Sequence, residues 1–366
     1  MFTHSLLEQR VRLWQFTLGA LLVVLLSACG SQTASTPTPT ATLPAATATP
    51  SPIPPVAVAV ATLTPTVAPS PTGATAPRPS PTGGAAQPRP AGATGKVAYS
   101  VVTGREPKFH TIWVADANGA NAHQILTHAQ WPAFSPDGSR IAYYGRPEGK
   151  SEGLYVADSG GNNPVLAVIS PGVCCLDWSR DGQWIVYALS GRPNQPGGPI
   201  WKVKVDGVYQ TRVDLKVMGN GPAFSPDSKQ VVYSGSFPNQ DRLGLMIVSA
   251  DGGTPRQITT DNGGNAQWSP DGRRIVYQAR DNANAIQVFV INPDGSNRRQ
   301  LTHGKSNDGQ PIWSRDGNHI FWRSDQNGTA WAIYVMVADG TGPRKILDNV
   351  PPEPDLWGWE SLSIAP

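Results

Sequence analysis

The chain has 366 residues, with 29 Lys and Arg against 26 Asp and Glu, and three cysteines. Its formal net charge of +3 arises in the first 95 residues, because 25 basic and 25 acidic residues remain in the rest of the chain. A neutral folded part lacks the basic surface that nucleic-acid binding needs, so composition excludes a nucleic-acid partner.

The first 28 residues are predicted to be a secretory leader. Arg10 and Arg12 precede an apolar run over residues 16–26, and small residues follow it. This order is typical of a signal peptide, and the run is shorter than the ~20 residues of a membrane-spanning helix. The sequence Leu-Ser-Ala-Cys at 26–29 resembles the bacterial lipoprotein signal, in which the cysteine is lipidated. We therefore predict that Cys29 carries a lipid anchor; the alternative is an ordinary signal peptide followed by a chance cysteine.

Residues 29–95 have the composition of a linker. Pro, Thr, Ala, Ser and Gly dominate residues 31–95, which contain no aromatic and no acidic residue. Such a segment cannot bury enough apolar surface to offset its conformational entropy. We predict a disordered, extended stalk that holds the following domain away from a membrane.

A turn motif recurs through the rest of the chain. It reads Phe-Ser-Pro-Asp-Gly at 134–138 and returns at steps of 44 to 46 residues, at 178–182, 224–228, 268–272 and 313–317. Pro suits the second position of a type I turn because its φ is preset, and Gly accepts the left-handed backbone that follows. Since apolar runs flank each copy, every copy predicts a hairpin between two strands.

Each period holds four short strands. In the first full period they are predicted at residues 132–135, 140–144, 154–157 and 164–168. Four-stranded sheets that repeat about every 45 residues are the pattern of a β-propeller. A sandwich or an ordinary barrel is the alternative, but neither needs one turn sequence five times.

The motif copies resemble the WD-like repeats of the TolB propeller, which are also found in the propeller of prolyl oligopeptidases. The resemblance covers about residues 96–361 and implies the propeller fold alone. Prolyl oligopeptidases carry a hydrolase domain for which this sequence has no space. TolB carries a folded domain before its propeller, where this chain has a leader and a stalk.

The strand count predicts how the ring closes. Six strand-ending aspartates are present but only five turn motifs, because the first strand, at 96–100, aligns with the second strand of the later periods. We expect the segment Leu356-Trp357-Gly358-Trp359-Glu360 to supply the missing strand, since closure removes exposed sheet edges. The predicted fold is therefore all-β: a six-bladed β-propeller over residues 96–366, closed by the C-terminal strand.

The repeated aspartates are predicted to shape turns rather than to bind a metal. An aspartate in a turn accepts hydrogen bonds from nearby main-chain N–H groups, and five copies in five blades are too far apart for one site. No nucleophile elbow and no zinc-protease motif is present, so we predict no catalytic residue, metal or cofactor. The adjacent Cys174 and Cys175 are either a vicinal disulfide or two small buried side chains.

Propeller ligands usually bind where loops surround a mouth of the central channel. A polar set just before the innermost strands is predicted to lie near the axis and to contact a ligand; solvated loops without a ligand are the alternative. Its members are Gln130, Trp131, Asn220, Asn265, Asp308 and Gln310.

Three functions compete at this point. The first is a monomeric, non-enzymatic module, anchored to the membrane by its lipid outside the cytoplasm, that binds a protein or peptide of the cell envelope. The second is a lyase or hydrolase with its site at the channel mouth, which predicts that loop carboxylates and histidines converge in one pocket. The third is an envelope spacer.

Overall fold

The computed structural model describes residues 92–103, 109–189, 197–205, 212–237, 243–326, 328, 330–352 and 362–366. All of these residues belong to one compact unit, Pro81–Pro366. The described residues form β-strands and no helix, so none of their elements is a helix that could cross a membrane. The predicted signal peptide, Cys29 and the stalk lie outside the described residues.

All strand pairs are antiparallel, and four of the sheets have four strands each. In spatial order these are β23 (Ser363–Ala365), β1 (Lys96–Thr103), β2 (Phe109–Asp116) and β3 (His123–Thr127); β4 (Ala129–Phe134), β5 (Arg140–Gly145), β6 (Gly153–Asp158) and β7 (Val165–Ile169); β15 (Gly264–Trp268), β16 (Ile275–Arg280), β17 (Ile286–Ile291) and β18 (Arg299–Gln300); and β19 (Asp308–Trp313), β20 (His319–Ser324), β21 (Ala332–Val337) and β22 (Arg344–Asp348).

The fifth sheet has seven strands, which corrects the expectation of separate four-stranded sheets throughout. Its strands are β8 (Val173–Trp178), β9 (Trp184–Leu189), β10 (Gly198–Lys204), β11 (Arg212–Phe224), β12 (Gln230–Gly235), β13 (Gly244–Ser249) and β14 (Arg256–Gln257). The reason is the length of β11, which spans 13 residues. Its first part, up to Gly219, pairs with β10, and its last part, from Asn220, pairs with β12.

The predicted strands of the first full period agree with β4 to β7, within three residues at each end. The middle strands β5 and β6 are buried at five of six positions. They do not alternate between buried and exposed residues because other sheets pack against both of their faces. Ile141 in β5 shows the result: it pairs with Phe134 on one side and with Ala157 on the other, and it is fully buried.

The end of the chain closes the first sheet, as expected, but through a later segment than predicted. Val97 in β1 pairs with Ile364 in β23, and Ala98 pairs with Ser363. Ile364 enters the core with 1% of its surface exposed, and the main-chain N–H of Phe134 donates to Ser363 Oγ at 2.8 Å. The predicted closing segment, 356–360, lies outside the described residues.

The first strands of the successive repeats, which we call the inner strands, contact one another in a closed cycle. β4 contacts β8, β8 contacts β11, and the cycle continues through β15, β19 and β23 back to β4. The motif aromatics Phe134, Trp178, Phe224, Trp268 and Trp313 are all buried at these contacts. Trp178 also donates from Nε1 to the main-chain oxygen of Ala133 at 2.8 Å, so it joins two neighbouring sheets.

Candidate functional site

Each inner strand from β4 to β19 contains a β-bulge at the same place. The register with the next strand shifts there, for example between Gln130 and Ala133 and between Gly309 and Ile312. One residue of every bulge has a left-handed backbone, with φ between 47° and 59°: Trp131, Cys175, Gly221, Asn265 and Gln310. Only glycine adopts this conformation without cost. Bulges and left-handed residues of this kind are common at functional sites, so these positions are candidates for ligand contact.

Three of the predicted contact residues lie at these bulges, and two of them, Asn265 and Gln310, face the same narrow part of the channel. Asn265 and Gln310 line a space of about 20 Å³ together with Cys175, Gly221 and Leu362. Gln278 Oε1 accepts hydrogen bonds from the Gln310 N–H at 2.7 Å and from Asn265 Nδ2 at 3.3 Å. Gln278 therefore fixes both bulges and holds in place the polar wall of the channel, which Asn265 and Gln310 form.

Two other predicted residues have positions set by the fold. Trp131 is buried, its N–H donates to Ser100 Oγ at 3.1 Å, and its ring lies 5.5 Å from that of Tyr144. Asp308 is buried, and burial raises its pKa, whereas the side chains of Ser324 and Thr302 oppose the rise. Both side chains stabilise contacts within and between sheets.

The remaining two predicted residues are half-buried. Gln130 lines a pocket between the sheet of β1 and the sheet of β4, and Asn220 pairs with Ser234 across β11 and β12. The structure therefore brings together Asn265 and Gln310 among the six residues.

A second cavity lies at the opposite end of the inner strands, beside the turn motifs, and we call it the axial cavity. Every inner strand contributes to its wall, so it lies where the sheets converge. It offers about 60 Å³ to water-sized groups. Its lining consists of Phe134, Asp177, Trp178, Arg180, Phe224, Ser225, Pro226, Gln267, Trp268, Pro270, Ile312, Trp313, Ser314, Arg315, Ser363 and Ile364.

Three of these lining residues carry charge. Asp177 is half-buried, and its Oδ2 accepts a hydrogen bond from the Phe224 N–H at 2.8 Å. Burial raises the pKa of Asp177 to about 6, although Arg315 and Arg180 oppose the rise. Burial also lowers the pKa of Arg315 to about 10, and the charge of Arg180 adds to this effect. Two guanidinium groups and one carboxylate thus share a poorly hydrated space.

The repeated aspartates act on the turns, as predicted. Asp137 Oδ1 accepts hydrogen bonds from Ser135 Oγ at 2.6 Å and from the Ser139 N–H at 3.1 Å, while the Arg140 N–H donates to Ser135 Oγ. The Ser135 and Ser139 hydrogen bonds lower the pKa of Asp137 to about 2. The other four motif copies repeat the serine-to-aspartate bond at 2.5 to 2.6 Å. A carboxylate so engaged shapes its turn.

Histidines and a carboxylate meet in one pocket, which is the arrangement that the lyase or hydrolase hypothesis predicts. His110, His128, Tyr144 and Glu152 line a space of about 180 Å³ between the sheets of β1 and β4. The Tyr144 hydroxyl donates to Glu152 Oε1 and accepts from the Gly172 N–H at 3.0 Å, and burial followed by the bond to Glu152 raises the pKa of Tyr144 to about 12. In the described residues no group of three or more His, Cys, Asp or Glu could hold a metal ion.

The two adjacent cysteines lie in β8 and are both buried. No disulfide joins Cys174 to Cys175. Burial and a hydrogen bond between the two thiols raise the pKa of Cys174, with the hydrogen bond as the larger cause. They fill space beside the channel as small apolar side chains do.

The sequence of the last two repeats identifies the type of propeller. Residues 264–349 match the model of the TolB beta propeller domain. The chain carries a TolB-type β-propeller. In line with this, the structure matches that of TolB from Acinetobacter baumannii with a TM-score of 0.62 and 18% identity, over 76% of this chain and 68% of that chain. At that identity the match shows a shared fold.

Curated relatives match the TolB-type propeller over short segments. Dipeptidyl-peptidase 5 of Porphyromonas endodontalis is 36% identical over 88 residues, which are 22% of this chain and 13% of the peptidase. The Tol-Pal system protein TolB of Thioalkalivibrio sulfidiphilus is 34% identical over 64 residues, which are 17% of this chain and 14% of that protein. Each alignment covers a small part of the relative's own length.

Proposed function

We propose that this protein is a lipid-anchored, extracytoplasmic propeller that binds a protein or peptide of the cell envelope and catalyses no reaction. The observation that carries the proposal is the axial cavity, because every inner strand contributes to its wall and its mouth carries Asp177, Arg180 and Arg315. Its room of about 60 Å³ suits one side chain or chain end of a partner. Binding sites are typically concave, with a few placed polar groups in a mostly apolar wall.

The anchor and the stalk complete this proposal. The leader and Cys29 would tether the chain to a membrane through acyl chains, each buried CH₂ contributing about 0.8 kcal/mol. The stalk at 29–95 would set the propeller, as a monomer, away from that membrane. A partner in the envelope would then be within reach of the channel.

The ring would have six blades. We count the seven-stranded sheet as two blades that share β11, because β10 pairs with its first part and β12 with its last part. The closed cycle of inner strands supports this count. Of the residues predicted from sequence, Asn265 and Gln310 would form a second contact for a segment that enters beyond the axial cavity.

An enzyme is the second candidate, and the pocket between the sheets of β1 and β4 favours it. His110, His128 and Glu152 line that pocket beside Tyr144. A histidine near a carboxylate can transfer protons in lyase or hydrolase chemistry. If this candidate is right, His128→Ala abolishes turnover of a small substrate, and a variant of the axial cavity does not.

Site-specific photo-crosslinking in native envelopes tests the binding proposal. A photoreactive residue is placed in the full-length chain at Gln267 in the axial cavity, at Gln130 near the opposite end of the channel, or at Lys345 on the outermost strand β22. We expect a defined protein adduct from position 267. Lys345 is the matched control because it is exposed and remote from the channel. Equal adducts from 267 and 345, or none from either channel position, would overturn the proposal.

A further inference from the structure

We propose that the axial cavity binds a single carboxylate group between the guanidinium groups of Arg180 and Arg315. The inference rests on the proposed function and names the chemistry that the site recognises. The carboxylate would be the C-terminus of a partner chain or one of its acidic side chains, which present the same planar pair of oxygens.

The turn does not explain why arginine occupies these two positions. Arg180 and Arg315 are the third residues of their motifs and the second residues of the turns, where the other three copies have Pro136, Pro226 and Pro270. Proline is favoured there because its φ is preset, and the turn bond between the first and fourth residues is 2.9 Å with Pro136 and 2.9 Å with Arg180. The arginines therefore add charge to a turn that forms equally well without them.

The charges around the cavity do not balance. Asp177, Arg180 and Arg315 are its only lining residues with a formal charge. Within the described part of the chain, no carboxylate oxygen lies within 4 Å of either guanidinium group. Arg315 Nε donates to the main-chain oxygen of Ile364 at 2.7 Å, and its two terminal nitrogens remain for a ligand. The site thus has a net positive charge and room for one anion.

The surroundings of Arg180 and Arg315 strengthen the binding of an anion. Trp178, Trp268 and Trp313 contribute an apolar wall, so charges interact more strongly there than in bulk water. A guanidinium fork matches a carboxylate through two parallel hydrogen bonds. The space of about 60 Å³ admits that group with few accompanying atoms.

Asp177 makes the binding pH-dependent. It faces Arg180 from its own sheet and Arg315 from the sheet of β19, and at neutral pH its charge repels an entering carboxylate. Because burial raises the pKa of Asp177 to about 6, acidification to about pH 5.5 protonates most of it, and a ligand then meets both arginines with little competition from Asp177. We expect affinity for a carboxylate to rise several-fold from pH 7 to pH 5.5, and Asp177→Asn to make it high at both values.

The test is an NMR titration of the full-length chain with ¹⁵N-labelled arginine, using sodium acetate against sodium chloride at constant ionic strength. We expect saturable shifts of the Arg315 and Arg180 Nε–H signals at millimolar acetate. Arg180→Gln should weaken binding at least about tenfold, since one charge-assisted contact is lost. Glutamine keeps the main-chain N–H that donates to Ser228 Oγ at 3.1 Å, so the turn should persist.

Arg273→Gln is the matched control, because Arg273 is exposed, follows the turn motif of another sheet and does not line the cavity. It should bind acetate as the unchanged protein does. Linear shifts without saturation, or equal binding by Arg180→Gln, would overturn the proposal. Peptides with a free or an amidated C-terminus, each with or without one Asp, then distinguish the two sources of the carboxylate. Acetate is independent of any partner, so a failed titration beside a specific adduct from position 267 would overturn this inference alone.

Discussion

Arg315 Nε donates a hydrogen bond of 2.7 Å to the main-chain oxygen of Ile364. Ile364 belongs to β23, the strand that closes the first sheet, and Arg315 belongs to the turn after β19. One arginine therefore contacts both the closure of the ring and the axial cavity. Ring closure and the ligand site therefore depend on the same few residues at the C-terminus.

Gly95→Ala should destabilise the closure specifically. Gly95 has φ 97°, and a Cβ there would lie 2.2 Å from the main-chain oxygen of Ala365. We expect a loss of about 2–4 kcal/mol in the free energy of unfolding, from overpacking plus left-handed backbone strain. Gly149→Ala is the matched control: φ is 70° but no atom lies within 4 Å of the added Cβ, so only the strain of about 1 kcal/mol is expected. Urea unfolding measures both variants. Equal losses for Gly95→Ala and Gly149→Ala would contradict a clash between the added Cβ at position 95 and the Ala365 oxygen.

Asp177→Asn should stabilise the protein at pH 7 and have little effect at pH 4. The folded-state pKa of Asp177 is raised from 3.8 to about 6. Ionisation of Asp177 therefore lowers the free energy of unfolding, and this loss develops as the pH rises from 3.8 through 6. Removing the charge should add about 1–3 kcal/mol to the free energy of unfolding at pH 7. An amide oxygen can still accept the hydrogen bond from Phe224. Urea unfolding at both pH values checks this, and a loss of stability at pH 7 would count against it.

Asp137→Asn should lower the free energy of unfolding at pH 7, the opposite of the effect expected for Asp177→Asn. Hydrogen bonds from Ser135 and Ser139 lower the pKa of Asp137 from 3.8 to about 2, so the carboxylate contributes stability that is present above pH 3.8 and is lost as the pH falls through 2. The side chain is exposed, so the loss at pH 7 should be small. Glu148→Gln, in an exposed loop, should change nothing at either pH. A loss that persists unchanged below pH 2 would show that the charge is not its cause.

Gln278→Leu should loosen the polar wall of the channel. The substitution removes the acceptor of the Gln310 N–H and of Asn265 Nδ2. Losing an acceptor in a buried place costs about 1–3 kcal/mol, so the midpoint of urea unfolding should fall. Gln267→Leu is the comparison, because Gln267 is half-buried at the axial cavity, and it should cost less. A smaller loss for Gln278→Leu than for Gln267→Leu would contradict the role given to Gln278.

The sequence predicted the repeat and most strand positions because turn chemistry and apolar runs are local properties. Closure of the first sheet by the end of the chain followed from its missing first strand. The closing segment itself was not predicted, because Trp357 and Trp359 resemble the aromatic residues of the motif, whereas Ser363 and Ile364 make the contacts with β1 and β4.

The site was harder to predict. Arg180 and Arg315 were visible only as departures from proline, and their meeting at one cavity depends on how separate turns converge around the axis. The sequence predicts Asn265 and Gln310 as polar residues near the axis, but only Gly221 at the equivalent place hints at the bulge that positions them. His110 and His128 lie on either side of β3, and only the packing of two sheets brings them to one pocket.

Amide hydrogen exchange of the C-terminal residues tests the central claim most directly, because without closure there is no axial cavity. In the full-length chain, the amides of Ser363–Ala365 should be protected to the same extent as those of Lys96–Ala98, with which they pair. Gly95→Ala should reduce both protections together. Exchange of 363–365 at the rate of an unstructured tail, while 96–98 stays protected, would contradict the closed ring and the site built on it.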